Sequence, residues 1–233
     1  MFRRINALIW SRKEVILANK MVVVNLLMPF LMVTLYQFMF KGQEKMGQGI
    51  LFMVLPMVPA FIGYSLPTLI SEEAEKNNQR SLRLAGVKSW EYILASLVFP
   101  FLINLIYLIV LPFYLKVDWA ALSPLYLPVM LVTSLVIFLL FLLVGLLVNS
   151  QSRASIIAMP VMMATAFLPL FSLIDQTVEK VIGFTYMGAF SHYSEKLADY
   201  SLIDFSFMVL LAWFLLGMFA VIFVTRQKHI INS

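Results

Sequence analysis

The sequence predicts an all-α, polytopic integral membrane protein with six transmembrane helices. Hydrophobic residues make up 62% of the chain and its mean hydropathy is +0.92, whereas soluble domains are roughly 45–50% apolar. The apolar residues also fall into six runs of about 20 residues, each free of Asp, Glu, Lys and Arg, and this length spans a bilayer. Each run is predicted to be helical, because a lone strand in lipid would leave its backbone polar groups unpaired.

An amphipathic helix is expected before the first run. Apolar side chains between Phe2 and Ile16 recur at near-helical spacing among arginines and lysines, which is typical of a helix lying in the membrane interface. We therefore divide a single transmembrane domain, residues 1–233, into an interfacial helix at 1–20 and six spans. The spans are placed at residues 21–40, 50–70, 92–115, 125–148, 156–174 and 205–225.

The second span is expected to bend. Pro56, Pro59 and Pro67 each remove a backbone donor and place a ring against the preceding turn. Membrane helices tolerate such prolines where neighbouring groups satisfy the freed carbonyls. The bend either shapes the packing alone or provides a hinge, and the sequence leaves both interpretations open.

The connection between the second and third spans is charged and is expected to form an exposed helix. Glu72 stands four residues before Lys76, a favourable spacing for a helical ion pair, and Arg80 continues on the same face. Gly86 follows where such a helix would stop. This helix is either a solvated segment that only sets topology or a docking surface.

The connection between the fifth and sixth spans is the longest. Apolar residues between Val178 and Tyr193 follow the spacing of an amphipathic helix, and Gly183 and Gly188 are expected to break that helix into pieces. These pieces predict a short hairpin before the last span. The hairpin is either partly embedded in the membrane or packed on the ends of the spans.

The distribution of basic residues predicts the orientation in the membrane. Short cytoplasmic connections are enriched in Lys and Arg, and twelve of the 17 basic residues of this chain fall on one side. Those twelve are Arg3, Arg4, Arg12, Lys13, Lys20, Lys76, Arg80, Arg83, Lys88, Arg153, Arg226 and Lys228. The other side holds Lys41, Lys45, Lys116, Lys180 and Lys196. Both termini are therefore assigned to the cytoplasm.

Several kinds of chemistry lack their residues in this sequence. There is no cysteine, and the two histidines, His192 and His229, fall outside the spans, which disfavours thiol chemistry and a metal site within the membrane. No glycine-rich loop ends in Gly-Lys-Ser/Thr, so the chain is not expected to bind ATP through a P-loop or to carry a cofactor. The spans hold no ionisable residue, which disfavours ion-coupled transport through carboxylates.

Three short motifs carry a resemblance to a known family. They are Ile-Ser-Glu-Glu at residues 70–73, Ser-Leu-Arg-Leu-Ala-Gly-Val at 81–87 and Trp-Glu-Tyr-Ile-Leu at 90–94. With the six spans, the interfacial helix and the outer hairpin, they resemble the membrane subunits of type-2 ATP-binding cassette transporters, the ABC-2-type permeases of bacterial exporters. The resemblance implies a multi-pass protein of the bacterial cell membrane that uses the energy of a separate ATPase.

The resemblance also implies partners and functional residues. In such permeases the connection after the second span is a coupling helix that seats in a groove of a cytosolic ATPase. Two permease copies, here expected as a homodimer in membrane lipid, pair with two ATPase subunits that bind ATP and Mg, and nucleic acid is not a partner. The residues to which this implication assigns ATPase coupling are Glu72, Glu73, Arg80, Arg83, Gly86, Arg12, Lys13 and Arg153.

The resemblance implies export. Spans rich in Phe, Met and Leu would suit a hydrophobic or amphipathic substrate, such as a peptide, a lipid or a drug, but the same composition also suits contact with lipid. The connection at residues 41–49 is short, so the large outer domains of some relatives are missing, which fits export better than import. Two other functions stay open on the sequence. The chain could be a gradient-driven transporter or channel that works alone, or an immunity-type membrane protein that sequesters a peptide.

Overall fold

The computed structural model describes residues 2–41, 46–172 and 176–227. Within these ranges the chain forms eleven α-helices and no β-strand. The helices are α1 (Phe2–Ala18), α2 (Lys20–Met39), α3 (Gly47–Val54), α4 (Met57–Glu75), α5 (Asn78–Leu84), α6 (Ser89–Tyr114), α7 (Tyr126–Leu147), α8 (Gln151–Ser172), α9 (Gln176–Gly183), α10 (Gly188–Lys196) and α11 (Phe205–Gln227). Lys45, Lys228, His229 and the end of the predicted fifth span, 173–174, lie outside the described residues.

Six spans are long and apolar enough to cross a membrane in the described part of the chain. They are α2, the pair α3–α4, α6, α7, α8 and α11. This confirms the predicted all-α, polytopic fold. The bundle has two ends. We call them the α5 end, where α4 stops and α6 starts, and the α10 end, where α11 starts.

The α3–α4 span and α7 form the centre of the bundle. In the apolar stretches of these two spans 72% and 67% of the residues are buried, against 17% in α2 and 22% in α11. α4 packs against both α7 and α8, and α11 packs against α7. A Cβ atom on Gly145 of α7 would lie only 2.9 Å from the Cα of Pro67 on α4, so glycine is required for this close approach. A displacement of α4 is therefore transmitted directly to the packed core.

The helix of the second span is interrupted where the sequence predicts a bend. α3 ends at Val54 and α4 begins at Met57, with Pro56 at the break. Proline has no backbone N–H to donate and its ring crowds the preceding turn, which favours an interruption of the helix at this point. Buried apolar residues continue across the break, including Leu55 and Val58, so the two pieces belong to one span.

The prediction of a single helix through the connection after the second span is wrong. α4 continues to Glu75, and the chain turns at Asn77, which has a positive φ of 58°, before α5 begins. Asn adopts this left-handed conformation at lower cost than most residues, and this stops the helix. Glu72 and Lys76 do form the expected ion pair, with Nζ 2.5 Å from Oε1, but Arg80 lies on the next helix rather than on the same face.

The predicted stop at Gly86 is confirmed. Gly86 has a φ of 71°, which glycine adopts without the steric cost that a Cβ atom brings, and it follows the last residues of α5. The Val87 N–H donates to the Leu82 carbonyl at 3.2 Å, which is the hydrogen bond of a Schellman motif. Val87 is buried and Leu82 packs on the same core cluster, so this turn fixes where α5 ends.

The hairpin before the last span consists of α9 and α10 and breaks between Gly183 and Gly188, as predicted. A Cβ atom on Gly188 would lie 2.5 Å from the Gly183 carbonyl oxygen, so the crossing of the two pieces requires glycine. Phe190 and Tyr193 of α10 are almost fully buried, and α10 packs against α11, α7 and α8. The hairpin therefore packs on the ends of the spans.

Candidate functional site

The α5 end of the bundle brings two of the predicted functional residues into direct contact. Arg12 lies on α1 and Glu73 lies on the last turns of α4, 61 positions later in the chain. The Arg12 Nη2 donates to Glu73 Oε2 at 2.9 Å, and Nη1 pairs with Oε1. This two-pronged geometry is the strongest form of an arginine–carboxylate interaction.

The Arg12–Glu73 pair is withdrawn from solvent. The Arg12 side chain is 8% exposed and that of Glu73 is 20% exposed. Removing charges from water is unfavourable unless they are paired with good geometry and further hydrogen bonds. The pair therefore links α1 to α4, and separating the two helices would leave a buried charge without its partner.

Tyr92 joins a third helix, α6, to this pair. Its hydroxyl donates to Glu73 Oε2 at 2.8 Å, and the Arg12 Cζ lies 4.9 Å from the centre of its ring, within the range of a cation–π contact. Tyr92 is 0% exposed. We call Arg12, Glu73 and Tyr92 the Arg12 cluster, since all three interactions converge on that guanidinium and its carboxylate.

The pKa of Arg12 lies above its usual value. Burial on its own would lower it, because desolvation disfavours the charged form, but the electrostatic influence of Tyr92 and Glu73 and hydrogen bonds to both outweigh burial. Arginine is already charged at every physiological pH. The Arg12 cluster therefore acts as a fixed electrostatic tie rather than as an acid or a base.

A groove opens beside the Arg12 cluster, between α1, α4 and α5. Its volume is about 340 Å³. Its lining residues are Ser11, Val15, Leu69, Glu72, Glu73, Lys76, Asn78, Ser81 and Leu82. At the end of α5, the Leu84 side chain is 81% exposed. The α5 end thus presents a groove and an exposed apolar side chain next to a rigid tie.

The other predicted residues lie outside the Arg12 cluster. Lys13 is exposed on α1, and Arg153 is exposed near the start of α8. The backbones of Arg80 and Arg83 belong to α5, while their side chains are outside the described part of the structure. Gly86 fixes the end of α5 rather than contributing a side chain.

Three residues at this end were missed by reasoning from the sequence. Tyr92 belongs to the motif at residues 90–94, but its polar contact carries no local signal, because an aromatic residue at the start of an apolar run is ordinary for a span. Glu91 accepts a hydrogen bond from the Lys88 N–H at 2.9 Å and is 1% exposed; its position three residues into the helix is the spacing of a capping box. Glu75 accepts from the Gln151 N–H at 3.1 Å and so ties the start of α8 to the end of α4.

A second polar cluster lies at the α10 end. Asp204 Oδ2 is 2.5 Å from Lys196 Nζ, and its Oδ1 is 3.5 Å from His192 Nδ1. Glu179 of α9 lies 4.0 Å from the other ring nitrogen of His192. We call Glu179, His192, Lys196 and Asp204 the Asp204 cluster. No group of residues able to hold a metal ion is found among the described residues.

Asp204 also caps the last span. Its Oδ1 accepts from the Ser206 N–H at 3.1 Å and from the Ser206 hydroxyl at 2.8 Å. Burial alone would raise the pKa of Asp204, but the hydrogen bonds from Lys196 and Ser206 hold it well below its usual range. Asp204 therefore stays ionised and fixes the start of α11 to α10.

The comparisons with known proteins give a family match. Residues 3–194 match the family model of ABC-2 type transporters, which covers the Arg12 cluster and five of the six spans. No curated protein and no solved structure matches the chain.

Proposed function

The chain belongs to the ABC-2 type transporter family and is a membrane permease component of an ABC transporter, and from this premise we propose that it couples a cytosolic ATPase to export through its α5 end. The ATPase docks on α5 and the neighbouring groove. Closure of two ATPase subunits around ATP and Mg then displaces this end of the bundle. The α5 end faces the cytoplasm in this proposal, as do both termini.

The Arg12 cluster is the observation that carries the proposal. It joins α1, α4 and α6 with a buried ion pair directly beside the groove that α5 borders. α4 is also the element most deeply packed against α7 and α8. A force applied near α5 therefore reaches three helices at once, because separating them would leave a buried charge unpaired.

The proposed docking surface combines apolar and basic groups. Leu84 is exposed at the end of α5, and Lys13 and Arg153 are exposed on α1 and α8. Arg80 and Arg83 add positive charge on α5 by sequence. Such a surface suits a partner with an apolar pocket and an acidic rim, since complementary charges guide association while a buried apolar anchor supplies affinity.

The finer features of the transporter belong to the same proposal. Two copies of the chain form a homodimer in the bacterial cell membrane, with two ATPase subunits. The substrate is hydrophobic or amphipathic, which is supported by spans that are rich in Phe, Met and Leu. Export is supported by the short connection at residues 41–49. The absence of a large domain in that connection favours export over uptake.

The docking surface is tested by binding and by stimulated ATP hydrolysis. The ATPase subunit is purified with the wild-type permease, with Leu84→Glu on α5, and with Ala198→Glu, an exposed position at the α10 end. We expect Leu84→Glu to weaken ATPase binding by about tenfold or more, since losing one apolar anchor is worth roughly 1.5–3 kcal/mol. The Ala198→Glu control should bind like wild type.

Two results would contradict this function. Equal binding of the ATPase to all three forms would remove the docking surface from α5. Movement of substrate by the permease alone in liposomes, driven by an ion gradient with no ATPase present, would support the gradient-driven alternative instead.

A further inference from the structure

The middle of α6 carries a polar side chain that the core leaves unpaired. Asn104 is 0% exposed, and within the described residues neither its Oδ1 nor its Nδ2 has a hydrogen-bond partner. Thr133 of α7 is 3% exposed, and its Oγ1 also has no hydrogen-bond partner among the described residues. An unpaired polar group is unfavourable in a bilayer core, where lipid offers no hydrogen bond. Both groups therefore disfavour the packing in which they are found.

The two unpaired groups lie along one seam between α6 and α7. The Tyr126 hydroxyl of α7 donates to the Leu108 carbonyl of α6 at 3.0 Å, which sets the register of these antiparallel helices. Asn104 precedes Leu108 by one turn, and Thr133 follows Tyr126 by two turns, so both lie on the contacting faces and towards the α5 end. At 1.5 Å per residue these steps are about 6 Å along α6 and about 10 Å along α7, so with Tyr126 and Leu108 taken as level the two groups are offset by about 4 Å along the helices.

α6 is weakened on both sides of Asn104. Pro100 and Pro112 lie inside the helix, and each lacks the N–H that would bond the carbonyl four residues earlier. For Pro112 that carbonyl belongs to Leu108, which is the group that accepts from Tyr126 instead. The segment between the two prolines can therefore shift against α7 with less loss of helical hydrogen bonding than an uninterrupted helix would suffer.

We propose that this segment of α6 has a second position against α7, in which the Asn104 amide hydrogen-bonds to the Thr133 hydroxyl. The seam is then a two-position element inside the membrane. The described packing leaves both groups unpaired, and the second position pairs them. The exchange of this α6 segment between the two positions is part of the transport cycle, and this role rests on the proposed function.

Thr165 of α8 supplies the matched contrast. It is also fully buried, but its hydroxyl donates to the Val161 carbonyl at 2.8 Å and lies 2.9 Å from the Tyr186 hydroxyl. A Thr→Val change is nearly isosteric and removes only the hydroxyl. At Thr165 it breaks a made interaction, whereas at Thr133 it removes an unpaired group.

The first experiment measures thermal stability of the purified permease and needs no ATPase. We expect Thr133→Val and Asn104→Leu to leave the unfolding midpoint unchanged or to raise it by about 2–4 °C, and Thr165→Val to lower it by a similar amount. If Thr133→Val or Asn104→Leu lowers the midpoint as much as Thr165→Val does, these groups are paired in the resting structure and the proposal is overturned.

The second experiment measures ATP-driven turnover of the complete transporter. Thr133→Val and Asn104→Leu should each reduce turnover by about tenfold, and the double variant should be no slower than either single variant, because one hydrogen bond is lost in all three. Additive losses, or wild-type turnover in either single variant, would overturn the proposal. A wild-type complex without any ATP-driven turnover would instead count against the proposed function, and the stability experiment would still decide the seam.

Discussion

The Arg12 cluster and the Asp204 cluster tie short helices to the two ends of one bundle, but they do so in different ways. At the α5 end the Arg12 side chain is 8% exposed and is held by two parallel hydrogen-bonded contacts and an aromatic ring. At the α10 end Lys196 is 48% exposed and reaches Asp204 across the surface, with a histidine beside them. The cation of one tie is buried, whereas the cation of the other lies about half in water, although its partner Asp204 is only 14% exposed.

The difference in burial indicates which end of the bundle is held more firmly. A buried ion pair is expensive to break by removing one partner, whereas an exposed pair contributes little because water and salt screen it. Arg12 also stays charged at every physiological pH. The α5 end therefore suits the transmission of force better than the α10 end does.

Removing one charge from each cluster should give the largest contrast. We expect Arg12→Met, which keeps an apolar stem, to lower the free energy of unfolding by about 3–5 kcal/mol, because Glu73 would be left buried without its partner. Lys196→Met should lower it by less than about 1 kcal/mol. Both losses are measured by unfolding the purified permease in mixed micelles with increasing denaturing detergent.

Reversal of the buried pair is the control for that contrast. Arg12→Glu together with Glu73→Arg should recover part of the stability lost in either single variant, while Glu14→Arg, an exposed change on the same helix, should have little effect. Equal losses for Arg12→Met and Lys196→Met would mean that burial does not distinguish the two clusters.

A smaller effect should appear in the pH dependence of the Asp204 cluster. The folded pKa of Asp204 is depressed, so its contribution to stability is present above the ordinary Asp pKa of about 3.9 and is lost as pH falls through the depressed value. The stability difference between wild type and Asp204→Asn should thus be constant near neutral pH and shrink below about pH 4. A difference that grows on acidification would contradict this sign.

Much of the fold could be predicted because a bilayer imposes strong constraints on composition. Six apolar runs of spanning length leave little choice of architecture, and Gly86 and the prolines of the second span mark a helix stop and a helix interruption that the structure contains. The single helix through residues 72–86 was predicted wrongly, because the helical spacing of charges is satisfied locally while one Asn77 turn decides whether the helix continues.

The candidate site was predictable only in part. Arg12 and Glu73 were selected through the family resemblance, but nothing in the sequence pairs two residues on different helices. Their contact depends on how α1 packs across α4 and α6, which is a property of the whole bundle. Tyr92 and Asn104 are a second example. Tyr92 makes a buried polar contact and the Asn104 amide makes none, yet both have apolar neighbours in the sequence, so the sequence does not distinguish them.

In the proposed function the α5 end faces the cytoplasm and meets the ATPase. Labelling of a single cysteine tests this orientation directly. The natural chain has no cysteine, so Ser81→Cys in the groove and Ala198→Cys at the α10 end each provide one reactive thiol. With a membrane-impermeant maleimide we expect Ser81→Cys to react in inverted vesicles but not in intact cells, and to be protected when the ATPase binds. Ala198→Cys should react in intact cells. Reaction of Ser81→Cys in intact cells would place the α5 end outside and contradict the coupling of this end to an ATPase.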